Sequence, residues 1–183
     1  MVSEQTVPDV ILHCVQGDIT AQPDIDGIVN AANGELRSGG GVAGAVHRAA
    51  GPQLYQECRP LAPIKPGDAV ITGAGDLPNR CVIHCLGPVW GRDLPEEQLL
   101  AACYRNALAR AEEAGLGSLA FPAISTGVFG YPVREAAAVA FATIATEAPH
   151  LRSVRLIRFV LFSAEDLAVH REAMAAAGLA PAV

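Results

Sequence analysis

Several short runs of this chain are apolar almost from end to end, and this constrains the fold more than any other feature. Runs that read as strands lie at residues 10–15, 27–30, 69–72, 81–86, 118–122 and 155–162. A strand without a polar face has no side to offer to water, so other elements must cover both of its faces. Helical patterns between the runs can supply that cover. Val42, Ala45, Val46 and Ala49 form one apolar stripe that Gly51 ends, and Pro52 then opens a short second helix. Leu99, Cys103 and Ala107 mark a longer helix, which follows Pro95 and stops at Gly115. Val133, Ala137, Ala140 and Ile144 keep the same rhythm behind Pro132. Ser163, three residues before Asp166, resembles a capping box that opens a last helix running to Gly178.

The alternation predicts an α/β fold, a three-layer α/β/α sandwich around a mixed, mostly parallel central sheet. The closely spaced early strands at 10–15 and 27–30 leave room for an antiparallel part. No repeat, low-complexity tract or linker interrupts the 183 residues, which predicts one domain over 1–183. Hydrophobic residues at 51% against 17% charged exclude disorder. Cys14, Cys58, Cys81, Cys85 and Cys103 form no C-x-x-C pair and sit mostly in apolar surroundings, as buried thiols do in a reducing compartment. The stretch 114–133 is uncharged, but Pro122, Gly127, Gly130 and Pro132 interrupt it. The run 136–146 is too short for a hydrocarbon core of ~30 Å. The first nine residues lack the basic and apolar regions of a signal peptide, so the expectation is a soluble cytoplasmic protein without a membrane partner.

Two glycine loops follow strand runs. In the first, a strand ends in a turn holding Asn30 and Asn33, and Gly39, Gly40 and Gly41 lead straight into a helix. Missing side chains admit a ligand to the backbone, and the first N–H groups of a helix are unpaired and electropositive, so this is an anion site. In the second, residues 121–132 pass from a strand through Ser125, Thr126, Gly127, Phe129 and Gly130 to Pro132 at a helix start. Phe129 between glycines suits a sugar or a base, although it could also pack inward. Two such loops suit the two phosphates of a diphosphate.

Charge supports backbone recognition. The net charge is −6, and Lys65 is the only lysine among thirteen Lys+Arg. Such a chain lacks the electrostatic footprint of a duplex nucleic-acid binder. Gly39, Gly41 and Gly44 match the spacing of a dinucleotide fingerprint, but eight residues separate Asn30 from Gly39. Asp68, the candidate acid, precedes a strand where the fingerprint needs it to close one. A P-loop fits less well still, since no Gly-Lys-Ser/Thr follows. His13, His47 and His84 show no metal-ligand spacing, and neither metal nor cofactor is expected.

Five ordered motifs carry a resemblance. They are Gly17 to Thr20 (GDIT), Asn30 to Asn33 (NAAN), Gly39 to Val42 (GGGV), Val82 to Pro88 (VIHCLGP) and Ser125 to Pro132 (STGVFGYP). Together they resemble the macrodomain family, over about residues 10–174. His47 to Gly51 (HRAAG), with Glu57 and Cys58, most resembles its MacroD-type branch. The resemblance implies an ADP-ribose pocket. In it Asp18 accepts a hydrogen bond from the adenine amino group beside the backbone N–H of Ile19, and Phe162 stacks on adenine. Asn33 holds the hydroxyls of the distal ribose, with Ala31 among the ligand-binding positions. Gly39, Gly40, Gly41 and Val42, with Ser125, Thr126, Gly127, Val128 and Phe129, wrap the diphosphate and distal ribose.

The same residues have plainer readings. Asp18 could cap a turn before Thr20, Asn33 could serve as a turn residue, and Phe162 could be core. One departure from the family matters: hydrolytic MacroD-type members carry an aspartate where this chain has Ala43. His47, one turn later, is a candidate base, but a histidine on an apolar stripe is more often a structural hydrogen-bonder. The favoured reading is an enzyme that frees ADP-ribose from ester-linked adducts, either ADP-ribosylated Asp/Glu of partner proteins or O-acetyl-ADP-ribose. Asn33 would fix the distal ribose, Gly41 would leave space for water, and Phe129 would hold the ribose. The second reading is a module that binds ADP-ribose without turning it over.

Overall fold

A computed structural model describes residues 3–7 and 10–179 of the chain. Seven strands form one sheet: β1 (Ser3–Val7), β2 (Val10–Gln16), β3 (Gly27–Ala31), β4 (Ala69–Gly73), β5 (Cys81–Cys85), β6 (Ser118–Phe121) and β7 (Leu156–Leu161). Their order is β1-β2-β7-β6-β3-β5-β4. The five inner strands all run parallel. Only β1 against β2 and β4 against β5 are antiparallel, so both exceptions are edges. The mixed character therefore lies elsewhere than between the strands at 10–15 and 27–30, which are parallel members of the inner set. Chain length explains this. β1 and β2 stand two residues apart, and β4 and β5 seven, too few for the crossover a parallel pair needs. The polar sequence of β1 gave no strand signal; its partner β2 supplies the ladder.

Helices α1 (Gly41–Ala50) and α2 (Pro52–Cys58) cover one face of the sheet, and α3 (Glu96–Glu113), α4 (Val133–Glu147) and α5 (Ala164–Met174) the other. Successive strand residues split between the two cores. Val29, Ile83, Leu119 and Phe159 face α3–α5, while Ile28, Val82, Ala120 and Val160 face α1 and α2. This is why these strands have no polar face. Phe159 centres the larger core, with Phe141 at 4.7 Å and Phe121 at 5.6 Å between ring centroids. Ser163 caps α5, its Oγ accepting from the Asp166 N–H at 3.0 Å, as the capping-box pattern predicts. All five cysteines are buried, and burial pushes the Cys14 thiol up to about 12. Among the described residues no helix is long and apolar enough to cross a membrane.

One buried polar network ties the sheet edge to the smaller core. The fully buried ring of His84 accepts from Asn30 Nδ2 through Nδ1 at 3.1 Å, so its proton lies on Nε2. Nε2 then donates to Thr72 Oγ1 at 2.9 Å, and that hydroxyl donates to the Gly73 carbonyl at 2.8 Å. Cys58 Sγ lies 3.6 Å from the same nitrogen. β3, β4, β5 and α2 are thus joined through one imidazole.

Burial, with His47 nearby, pushes the His84 imidazole down to about 3. The native state keeps His84 neutral, whereas the unfolded chain protonates it below its ordinary value of 6.5. The unfolded state therefore binds the extra proton, and stability falls as pH drops from about 6.5 toward 3. The expected contribution to the slope is about 1.4 kcal/mol per pH unit. Urea unfolding at pH 7, 6, 5 and 4 should show a shallower acid loss for His84→Gln than for the native chain, from a lower starting stability.

Candidate functional site

The parallel inner strands place their carboxyl ends along one edge, where ligands of open α/β sheets bind. Four neighbours in order, β2, β7, β6 and β3, end at Asp18, Phe162, the second glycine loop and the first glycine loop. Positions scattered over about 150 residues of sequence thus become a row roughly three strand spacings long, about 14 Å.

Asp18 and Phe162 sit together at one end of the row. The Gly17 N–H donates to the Leu161 carbonyl at 2.9 Å, joining the two strand ends one residue before each. Asp18 is exposed, and its Oδ1 accepts from the Thr20 N–H at 2.8 Å and the Thr20 hydroxyl at 2.7 Å. It therefore caps the turn, as the plainer reading holds, and the same bonds fix the direction of its carboxylate. Ile19 beside it is buried. Phe162 is 92% exposed, which rules out a core role. An aromatic ring held in water beside a fixed carboxylate is a stacking surface with an acceptor next to it.

The first glycine loop begins after Ala31, the last residue of β3. Asn33 spends its amide on this loop: Oδ1 accepts from the Arg37 N–H at 2.9 Å, and Nδ2 donates to the Arg37 carbonyl at 2.8 Å. It is the turn residue of the plainer reading. Gly39 and Gly40 are exposed, and Gly41, at φ +54°, turns the chain into α1 with no side chain capping the helix. A Cβ on Gly44 would land on the Gly39 carbonyl oxygen, so only glycine lets the helix pack under the loop. Val42 is half-buried, and Ala43 is buried yet belongs to neither apolar core. His47, one turn on, is also buried, and its Nε2 has no hydrogen-bond partner. Burial pushes this imidazole below its ordinary value, so it stays neutral.

The second glycine loop is built around Ser125, at φ +67° with its Oγ buried and unpartnered. Its carbonyl accepts from the Tyr131 N–H at 3.0 Å, while Thr126 Oγ1 donates to the Ala123 carbonyl at 2.8 Å. Gly127 is open, Val128 is 98% exposed, and Phe129 is half-buried against the smaller core. Ser125 needs Gly87, where a Cβ would strike its Oγ. Sequence reasoning missed Trp90, whose backbone N–H donates to the Phe129 carbonyl at 2.9 Å and whose ring centroid lies 4.6 Å from that of Tyr131. The chain's single tryptophan, set half-exposed between glycine and proline residues, was the available signal. Among the described residues no group of three His, Cys, Asp or Glu could hold a metal ion.

Known proteins share this architecture. A family model described as Macro domain matches residues 29–140. A Klebsiella pneumoniae protein named O-acetyl-ADP-ribose deacetylase is 48% identical over 173 residues, covering 92% of this chain and 96% of its own length. The Oceanobacillus iheyensis macrodomain, solved with ADP, superposes with a TM-score of 0.91 at 42% identity and covers 96% of each chain. The Trypanosoma brucei macrodomain in complex with ADP-ribose gives a TM-score of 0.80 at 35% identity, over 88% of this chain and 68% of that one.

The site geometry separates exposure from packing in a way that can be measured. Phe162→Ala should leave unfolding free energy within about 0.5 kcal/mol of the native chain, because its ring buries nothing. Gly44→Ala should lower it by about 1–3 kcal/mol by forcing the Gly39 carbonyl away. Urea denaturation of both variants checks the pair.

Proposed function

Because this chain belongs to the Macro domain family, we propose that it binds ADP-ribose and hydrolyses ester-linked ADP-ribose adducts, as a single domain over residues 1–183. The observation that carries this reading is the row of four loops: an exposed ring and a carboxylate at one end, then two glycine loops whose only cation is Arg37. Adenine fits the first pair, stacked on Phe162 with its amino group donating to Asp18 and with Ile19 alongside. The diphosphate fits the backbone N–H groups of Gly39 to Val42 and Ser125 to Phe129, which need no basic side chain. The distal ribose then lies by Asn33 and Phe129.

For an acetyl ester, water adds to the acyl carbon, the bond from that carbon to the ribose oxygen breaks, and acetate and ADP-ribose leave. A phosphate oxygen of the bent diphosphate takes the water's proton and returns it to the departing ribose oxygen, and Gly41 leaves room for that water. Positioning and amides facing the developing negative charge lower the barrier. For an ADP-ribosylated protein the same step frees the Asp or Glu carboxylate. The deacetylase names of relatives support the first substrate, and the five buried thiols support a reducing, cytoplasmic setting.

Ala43 favours a second reading, a reader that binds ADP-ribose without turnover, since it supplies no carboxylate for water. Incubation with O-acetyl-ADP-ribose and with Glu-linked ADP-ribosylated protein, following free ADP-ribose, decides between the two. Release from either substrate is expected; tight ADP-ribose binding with no release leaves the reader. Ala43→Asp should speed release, since a well-placed general base contributes ~10²–10⁴-fold, and should weaken ADP-ribose binding by repelling the diphosphate.

Asp18→Asn tests the adenine end. The asparagine keeps an oxygen for Thr20 but turns a donor toward the adenine amine. Calorimetry should show ADP-ribose weakened by about 1.5–3 kcal/mol with ribose-5-phosphate unchanged. Equal losses for both ligands would remove Asp18 from the adenine contact.

A further inference from the structure

A second concavity lies outside the row of loops. It is a cleft of about 590 Å³ between the first glycine loop and helices α1 and α2, lined by Arg37, Ser38, His47, Arg48, Pro52 and Tyr55 among others. A neighbouring hollow continues it along α2 past Gln56, Arg59 and Pro60.

Arg80, Arg92, Arg105, Arg110, Arg134 and Arg158 each pair with a carboxylate. Among the described residues, Arg37, Arg48 and Arg59 pair with none, and neither do Lys65, Arg152 and Arg155 elsewhere on the surface. Arg37 and Arg48 line this cleft and Arg59 the neighbouring hollow, so the cleft presents two exposed guanidinium groups that no carboxylate among the described residues neutralises. Two hydroxyls, on Ser38 and Tyr55, and the unpartnered ring of His47 lie in the same wall. Guanidinium forks with hydroxyls nearby suit carboxylates.

The cleft also stands in the right place. Asn33, assigned above to the distal ribose, is bonded through its side chain to the backbone of Arg37. The Arg37 side chain therefore starts within one residue contact of the point where the ester would be attached. A protein that carries ADP-ribose on an Asp or Glu must leave the pocket at that point.

We propose that this cleft receives the acidic polypeptide flanking an ADP-ribosylated Asp or Glu, with Arg37 and Arg48 pairing with the carboxylates of neighbouring residues. This rests on the hydrolase reading above and adds a substrate preference: adducts in acidic sequence. Nucleic acid is the poorer occupant, because three arginines without a lysine do not track a phosphate chain.

The test compares three substrates on the native chain and on the double variant Arg37→Gln/Arg48→Gln. They are a Glu-linked ADP-ribosylated peptide with acidic neighbours, the same peptide with neutral neighbours, and O-acetyl-ADP-ribose, which has no flank. The native chain should favour the acidic peptide about five- to tenfold through KM, as expected for two exposed ion pairs. Raising salt from 50 to 500 mM should erase that preference. The double variant should lose it while keeping O-acetyl-ADP-ribose turnover within twofold. Equal kcat/KM for both peptides, or an equal loss on all three substrates, overturns the proposal. In parallel, a fluorescein-labelled unmodified acidic peptide should bind the native chain more tightly than the double variant by anisotropy. That measurement holds even if no ester is turned over, which would sink the hydrolase reading alone. Displacement of the peptide by a single-stranded oligonucleotide at lower concentration than by unlabelled peptide assigns the cleft to nucleic acid instead and overturns the proposal.

Discussion

Two-sided burial of the inner strands organises everything else in this molecule. Strands without a polar face must be covered on both sides, and joining them in parallel requires crossovers that carry helices to each face. The same crossovers return every inner strand in one direction, so five carboxyl ends meet at a single edge. The loops that leave this edge inherit its rigidity. Below it, Phe159 and its aromatic neighbours anchor β7 and β6 on one face, and His84 locks β3 to β4 and β5. A site made of loops is thus set on the least deformable part of the fold.

The chain's charge dictates how such a site can recognise an anion. The second glycine loop holds no cation, and the only one in the first, Arg37, lines the cleft beside α1 and α2, so recognition of a diphosphate falls to the backbone. Backbone amides do not change the net charge, do not depend on pH and cannot swing away. They do require close approach, which is why Gly44 must lie bare beneath the Gly39 carbonyl and Gly87 beneath Ser125. These glycines serve the site from behind, and neither one touches the row of loops from the front.

Much of this was legible beforehand, and the reasons are local. Each inner strand is marked by a run that is apolar apart from single residues such as His13, Asn30, His84 and Arg158, and each helix has its own start or stop at Gly51, Pro52, Gly115, Pro132 or Ser163. β1 escaped because Ser3–Val7 is largely polar, and its pairing with β2 is a tertiary fact. The antiparallel strands were misplaced because direction depends on which strands become edges, which no single run records. At the site, the turn roles of Asp18 and Asn33 were legible, because both bonds are made within a few residues of sequence. The contacts of Trp90 with Phe129 and Tyr131 were not, because they join segments about 40 residues apart. Which six arginines find a carboxylate, and that Arg37 and Arg48 in the cleft do not, appears only when the chain is folded.

The clasp between Asn33 and the Arg37 backbone sets how much of the amide is left over. Oδ1 accepts once, from the Arg37 N–H, and Nδ2 donates once, to the Arg37 carbonyl. An amide oxygen has a second lone pair and an amide nitrogen a second hydrogen, so one acceptor and one donor remain. The bonds already made hold both in a fixed direction. In the proposed site a ribose would meet this pair ready aimed, with no loop bond to break and no side-chain rotation to freeze. One asparagine would then build the turn and read the sugar at the same time.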